Sequence, residues 1–386
     1  MKVVYFITAS KEGKGGHYHS LNETAKIFNK HEDIEIISIG INRSPVLNHF
    51  GEKYTHLNFK NVFSTSLKVL EVVRKKKPDV LHAFDINSFY YARIISIITN
   101  TPVLITLCGG KNPKFFPFSH EIVLYSLENL KFIEKKNKFK NSNLSLIPNR
   151  ASATQQNNNY IESIKKNLRT DFPIVLRIAR FSSLHEDSIL QSIKLVEFLR
   201  NEGVEVQLLV VGYVKDKKIF EDLSQYQSEY ITFITDEEYT VKASQLIDIA
   251  DFVVGTGRSF MEAALLGKTM LAPTSNIKYP IIVNKENVSL VSSTNFSNRY
   301  FEKRSEKLIM DEILKIFSSK NKENLIDFAK ENFSSEKIYD KYLPIYLRAK
   351  PAKFLPLDIA YQAAIIIKPK QKLRVILRKM KYLKHS

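Results

Sequence analysis

"ADFVVGTGRSFMEAALLGKTML", residues 250–271, carries the reading of this chain. An apolar run, Ile249–Val254, is broken by Gly255 and Gly257. Apolar residues then recur at Phe260, Ala263 and Ala264, with Gly267 continuing the period, and a second apolar run, "TMLAP", follows. That order predicts a buried strand, a helix and another buried strand, the unit from which a helix-covered parallel sheet is built. One cation, Arg258, and one acid, Glu262, stand at the start of the helix, where backbone amides and the helix dipole favour anions.

The same alternation extends in both directions. "KVVYFI" (2–7), "IEIISIG" (34–40), "DVLHAF" (79–84), "PVLITL" (102–107), "EIVLYS" (121–126) and "LSLI" (144–147) read as buried strands, with "SLNETAKIF" a helix after the first. Residues 149–171 are polar and amide-rich and read as an interdomain connection. The pattern then restarts with "PIVLRIA" (173–179) and the helix "EDSILQSIKLVEFLRNEG", which ends at Gly203. "VEVQLLVVG", "YITFI", "DFVVG", "TMLAP" and "VSLV" continue a second sheet. The expected fold class is α/β, with two doubly wound, Rossmann-like domains. The expected boundaries are 1–160 and 172–335, followed by helices crossing back and a basic tail over 336–386. In such folds ligands bind at the carboxyl ends of strands, here in the cleft between domains.

Composition fits this plan. A chain of 386 residues with 44% hydrophobic content has room for two ordinary cores and is not a disordered chain. Net charge is +18, which calls for an anionic partner. Residues 351–386 hold nine Lys or Arg against one acid, Asp358. Cys108 is the single cysteine, so no internal disulfide forms and a reducing compartment is expected. The opening "MKVVYFITAS" reads as a first strand and not a leader, and no run approaches the ~18 apolar residues of a membrane span. The expected location is cytoplasmic, at the inner face of the cell membrane.

Three loops carry candidate chemistry. In "SKEGKGGHYHS" (10–20), Gly13, Gly15 and Gly16 let backbone approach an anion at a helix N-terminus, or simply make a tight turn. His17 and His19 lack a third metal ligand. In "LRIARFSSLHEDS" (176–188), Arg177 and Arg180 have opposite parity, so one is expected to face the cleft and the other solvent. An arginine fork in that place suits a diphosphate. In the opening stretch, Gly257 permits the turn and the amides of Arg258 and Ser259 can face a phosphate. Arg258 adds charge, and Glu262, a turn further on, can accept from a ribose diol. No Asp-x-Asp occurs, which argues against a metal-held diphosphate.

Taken together, these motifs resemble the nucleotide-sugar glycosyltransferases of the GT-B fold, in particular the group-4-like retaining enzymes found in bacterial surface-polysaccharide biosynthesis. The resemblance covers about residues 1–346. It rests on the Gly-Gly loop, "RIARFSSLHEDS", the opening stretch, "ITLCGGKNP", "IVLYSLEN…LIPNR" and "FSSEKIYDKYLPIY". It implies that Gly15 and Gly16 pack against the donor diphosphate and that Arg180 binds it. It implies further that Glu262 holds the ribose, that Gly257, Arg258 and Ser259 meet the phosphates, and that Thr235 borders the nucleobase. Cys108, Gly109 and Gly110 fall on the acceptor side. Arg180 and Glu262 are the residues expected to carry catalysis.

The chain departs from the family pattern at three places. The first of two expected glutamates falls at Val254, the lysine after the diphosphate arginine at His185 or Glu186, and an N-domain histidine at Cys108. Arg258 is expected to compensate for the lysine. The implied activity is hexosyl transfer with retention, metal-independent and without a cofactor beyond the nucleotide-sugar donor. The acceptor would be a glycan or lipid-linked oligosaccharide. An epimerase of the same fold, a non-catalytic sugar-nucleotide binder and a nucleic-acid binder are the alternatives. Nucleic acid is not an expected partner, since much of the charge sits in the tail. There Lys372, Arg374, Arg378, Lys379, Lys381 and Lys384 flank an apolar face of Leu373, Ile376, Leu377 and Met380. This pattern predicts a basic amphipathic helix on an anionic membrane surface.

Overall fold

A computed structural model describes residues 1–9, 13, 15–169, 171–319 and 324–367. The chain divides into two compact units, one of residues 1–147 with the segment from Ser335 onward, the other Pro148–Ser334. Residues 148–160, placed in the first domain by the sequence, therefore belong to the second.

The first unit holds a parallel sheet of β1 (Lys2–Ala9), β2 (Asp33–Gly40), β3 (Tyr54–Asn58), β4 (Val80–Ala83), β5 (Val103–Leu107), β6 (Glu121–Leu124) and β7 (Asn143–Leu146). Their order is β3-β2-β1-β4-β5-β6-β7. The crossover helices are α1 (Gly16–Phe28), α2 (Val62–Lys76), α3 (Ile86–Thr99) and α4 (Leu127–Glu134). Asn61, Asp85 and Ser126 cap α2, α3 and α4, each accepting from an amide in the first turn. Val3, Val4, Tyr5, Phe6 and Ile7 of β1 are all buried, as a strand covered on both faces requires.

The second unit opens with α5 (Asn158–Lys165), inside the stretch that reads as a polar connection. Its sheet comprises β8 (Ile174–Ile178), β9 (Gln207–Val211), β10 (Ile231–Ile234), β11 (Phe252–Val254), β12 (Thr269–Ala272) and β13 (Ile281–Val283). The order is β10-β9-β8-β11-β12-β13, parallel except for the β12–β13 pair. Between them run α6 (Glu186–Asn201), α7 (Lys217–Ser224), α8 (Glu237–Thr240) and α9 (Arg258–Leu265), and after β13 follow α10 (Val288–Ser292), α11 (Glu306–Ser318) and α12 (Ile326–Phe333). "VSLV", read as a strand, is α10. Val288 and Val291, three apart, are its buried residues, and a helix turn puts them on one face.

The chain then returns to the first unit as α13 (Ile338–Arg348) and α14 (Pro356–Ile367). Helix α13 packs Tyr342 and Tyr346 with α1 on one face of the sheet, where His82 is enclosed. The His82 ring nitrogens lie 2.8 Å from the Tyr346 hydroxyl and 2.7 Å from Thr106 Oγ1. Burial lowers its pKa to about 3, so the ring is neutral. Helices α2, α3 and α14 pack with the core on the other face. No helix among the described residues is long and apolar enough to cross a membrane.

Candidate functional site

In the second unit, β8 has β9 on one side and β11 on the other, so the chain reverses its direction of winding there. The loops after β8 and β11 diverge at such a point and leave a crevice at the carboxyl ends of the strands. Arg177 lies beneath it. Its Nη1 donates to the Val254 carbonyl at 3.0 Å and its Nη2 to Ser188 Oγ at 2.7 Å; both nitrogens lie 3.4 Å from Thr256 Oγ1. Contrary to the expectation from strand parity, Arg177 faces neither cleft nor solvent but is fully buried, tying β8 to β11 and α6. Desolvation lowers its pKa to about 10, which still leaves it charged at neutral pH.

Arg180, two residues beyond β8, is partly exposed in the loop leading to α6. Its Nη2 lies 3.4 Å from His185 Nε2. Because a guanidinium only donates, that nitrogen is the acceptor and the imidazole proton sits on Nδ1. His185 is held neutral, its pKa lowered to about 3 by burial and then by Arg177, Arg180 and Lys215.

Lys215 was not among the expected residues. It comes from the loop after β9, which is bound to the loop after β8. Phe181 N–H donates to the Tyr213 carbonyl at 3.1 Å, and the amides of Lys215 and Asp216 donate to the Phe181 carbonyl at 3.1 and 3.0 Å. Two cations from neighbouring strands thus converge near the N-terminus of α6. Such a place attracts anions.

On the other side of the crevice, Gly257 begins α9 with φ at 52°, a left-handed conformation that a side chain strains. A Cβ there would also come within 3.2 Å of Asn295 Nδ2. Its amide, expected to meet a phosphate, donates to the Asn295 carbonyl at 3.0 Å. The Ser259 hydroxyl closes a local ring, accepting from Thr256 N–H at 3.2 Å and lying 3.1 Å from the Thr256 carbonyl.

Arg258 also departs from its expected role. Its Nε donates to Glu262 Oε1 at 2.8 Å, and its Nη1 donates to the Arg150 carbonyl at 3.2 Å. Both side chains of the pair are largely buried. Arg258 therefore neutralises Glu262, one turn along the helix. Val254 lies wholly in the core. Thr235 follows β10 at the same end of the sheet, two strands or roughly 10 Å from β8.

The first unit has its own reversal, between β1 and β4. Gly15 precedes α1 and Gly16 opens it; a Cβ on Gly16 would meet nothing within 4 Å. Gly109 and Gly110 follow β5 with left-handed backbones. Cys108 Sγ lies 3.4 Å from the Phe84 carbonyl, and burial pushes its pKa upward. Lys372, Arg374, Arg378, Lys379, Lys381 and Lys384 lie outside the described residues.

No protein-family model matches the chain, and no curated protein matches it in sequence. Solved structures do resemble it. Anabaena HepE in complex with UDP and glucose has a TM-score of 0.66 at 16% identity, covering 89% of this chain and 99% of that one. Sucrose-phosphate synthase from Thermosynechococcus elongatus has a TM-score of 0.60 at 14% identity, covering 90% and 98%. A putative UDP-N-acetylglucosamine 2-epimerase from Listeria monocytogenes has a TM-score of 0.54 at 12% identity, covering 92% and 99%. The chain shares with them a fold of two Rossmann-like α/β units.

Proposed function

We propose that this protein is a glycosyltransferase that moves a hexosyl group from a nucleoside-diphosphate sugar to a glycan or lipid-linked acceptor, with retention and without a metal. The observation that carries the reading is the second unit's crevice, where Arg180 and Lys215 converge on one side and the Arg258–Glu262 pair stands on the other. A nucleoside diphosphate offers both complements: phosphoryl oxygens for the cations and a ribose diol for a carboxylate.

As the bond from the anomeric carbon to the diphosphate breaks, both electrons leave on the phosphate oxygen. Fixed cations stabilise the charge that develops there. The fold is shared with a sucrose-phosphate synthase and with a protein solved with UDP and glucose, which supports the assignment of donor class. Retention rests on the sequence resemblance. Cys108–Gly110 would lie on the acceptor side, and the basic tail would hold the protein at the inner face of an anionic membrane.

The test is incubation of purified protein with a panel of UDP-, GDP- and ADP-sugars, with and without glycan acceptors, the products resolved by mass spectrometry and NMR. A glycosylated acceptor with the donor's anomeric configuration is expected. Conversion of donor to its epimer without acceptor would assign the protein to the epimerase activity found on this fold. Absence of any turnover, with tight nucleotide binding, would make it a binding protein.

A further inference from the structure

Helix α14 packs Ile359, Ala363 and Ile366 on the core, yet its outward face is apolar as well. Its sequence, PLDIAYQAAIII, has one charged residue, Asp358, and one amide, Gln362, four positions apart. Both point inward. Asp358 accepts from Arg93 Nη1 at 2.9 Å and from the Phe118 amide at 2.9 Å, and pairs with Lys138. Gln362 is fully buried and donates to the Ile86 carbonyl at 2.6 Å.

The opposite stripe, Leu357, Ala360, Ala364 and Ile367, carries no polar group. Leu357 is 65% exposed and Ile367 57%, with Phe354 at 68% just before the helix. An ordinary surface helix carries its charged and polar residues on the outward face. Helix α2, which packs with α14 on the same side of the sheet, shows Phe63 at 75% and Leu67 at 53% one turn apart. Exposed apolar side chains occurring singly need no account, but an uncharged stripe along a helix does.

We propose that this face of the first unit, α14 together with the exposed turn of α2, docks on an anionic lipid surface. Charge decides the occupant. Exposed Lys350 and Lys353 precede α14, and Lys60, Lys68, Arg74 and Lys75 lie on or beside α2, whose Glu71 is already paired with Lys75. The chain continues from Ile367 into residues 368–386, which hold eight Lys or Arg and no acid.

A second copy of a +18 chain would bring like charge to like charge. So would the chain's own final segment if it covered α14. An anionic bilayer accepts the apolar stripe at its headgroup boundary and the surrounding cations at its surface. This surface extends the membrane attachment proposed above from the tail to the folded unit, and its test does not depend on sugar transfer.

The experiment is co-sedimentation of the full chain with phosphatidylcholine vesicles, with and without phosphatidylglycerol. The parent is compared with Leu357→Glu/Ile367→Glu, with Leu357→Ser/Ile367→Ser, and with a chain whose six tail cations, Lys372 to Lys384, are glutamine. The α14 positions are exposed, so circular dichroism and the thermal midpoint should be unchanged. Removing two inserted apolar side chains should weaken partitioning roughly tenfold to a hundredfold, the serine pair less than the glutamate pair. The glutamine tail should weaken attachment while leaving it sensitive to the α14 substitutions. Parent-like binding by both α14 variants overturns the proposal, as does no binding by the parent. Concentration-dependent dimers of the parent that the α14 substitutions dissolve would also overturn it, assigning the face to a second copy.

Discussion

Substituting Arg258 by Gln, alone and with Glu262→Gln, tests the feature that most changes the reading of the site. The two side chains are 16% and 8% exposed, with Nε and Oε1 2.8 Å apart. A solvent-exposed pair at this helical spacing contributes about 0.3–0.5 kcal/mol. A desolvated charge-assisted bond contributes about 1.5–3 kcal/mol. Arg258→Gln also removes the bond to the Arg150 carbonyl, so its total cost should be about 2–4 kcal/mol. For a unit of this size that lowers the thermal midpoint by roughly 5–12 °C.

The double variant should recover part of the loss, because no buried carboxylate is left without its partner. Denaturant titration of all four proteins gives the coupling energy, expected at about 1.5–3 kcal/mol. The same cycle on donor KM separates two roles. If Arg258 acts by holding Glu262, its substitution adds little once Glu262 is already Gln; if it touches phosphate, the losses multiply. A stability coupling below about 0.5 kcal/mol, the level of an exposed pair, would refute the reasoning.

Three further outcomes are expected. Arg180→Ala and Glu262→Ala should each lower kcat/KM by roughly tenfold to a few hundredfold, and Lys215→Ala should raise donor KM by a smaller factor; parent-like donor kinetics in a folded Arg180→Ala protein would remove the crevice from consideration. Transfer should survive exhaustive chelation, and a complete loss restored by Mg²⁺ or Mn²⁺ would show that the cations of the chain do not suffice. Stability should fall on acidification: His82 and His185 have folded pKa values lowered to about 3, so the unfolded chain binds the extra protons below its ordinary value of about 6.5. Their contribution is complete above that value and is lost toward pH 3, about 2 kcal/mol per ring by pH 5, and a pH-stability slope between pH 5 and 6.5 that is unchanged in His185→Asn would show that this ring does not titrate so.

The buried strands were legible because a parallel strand covered on both faces leaves an uninterrupted apolar run, as "KVVYFI" and "QLLVV" do. Strand β3, YTHLN, was not, since it is an edge strand only partly covered and mixes polar with apolar residues. Strand β13 is three residues long and hidden behind Pro280. Helix α5 was concealed by its amides, although the structure uses Asn157 as its cap and only Ile161 and Ile164 as its buried face. Two apolar residues give too little periodicity to separate a short helix from a loop.

The site divides along a similar line, between what spacing along the chain can show and what only sheet order can. Arg258 and Glu262 are four residues apart in a helix, so their pairing was available from the spacing alone. A cation at a helix start beside glycines equally invites a phosphate contact, and spacing alone does not choose between the two. Arg177 was misplaced for another reason: parity tells which face of a strand a residue occupies, not whether that face is covered, and in this sheet both are. Lys215 was beyond reach. Nothing in the 34 residues of intervening sequence links it to Arg180; the link is that β9 lies next to β8, with the Phe181 carbonyl accepting two amides from the neighbouring loop. Arg180 and Lys215 are thus brought together by strand order alone, which leaves no trace in local sequence.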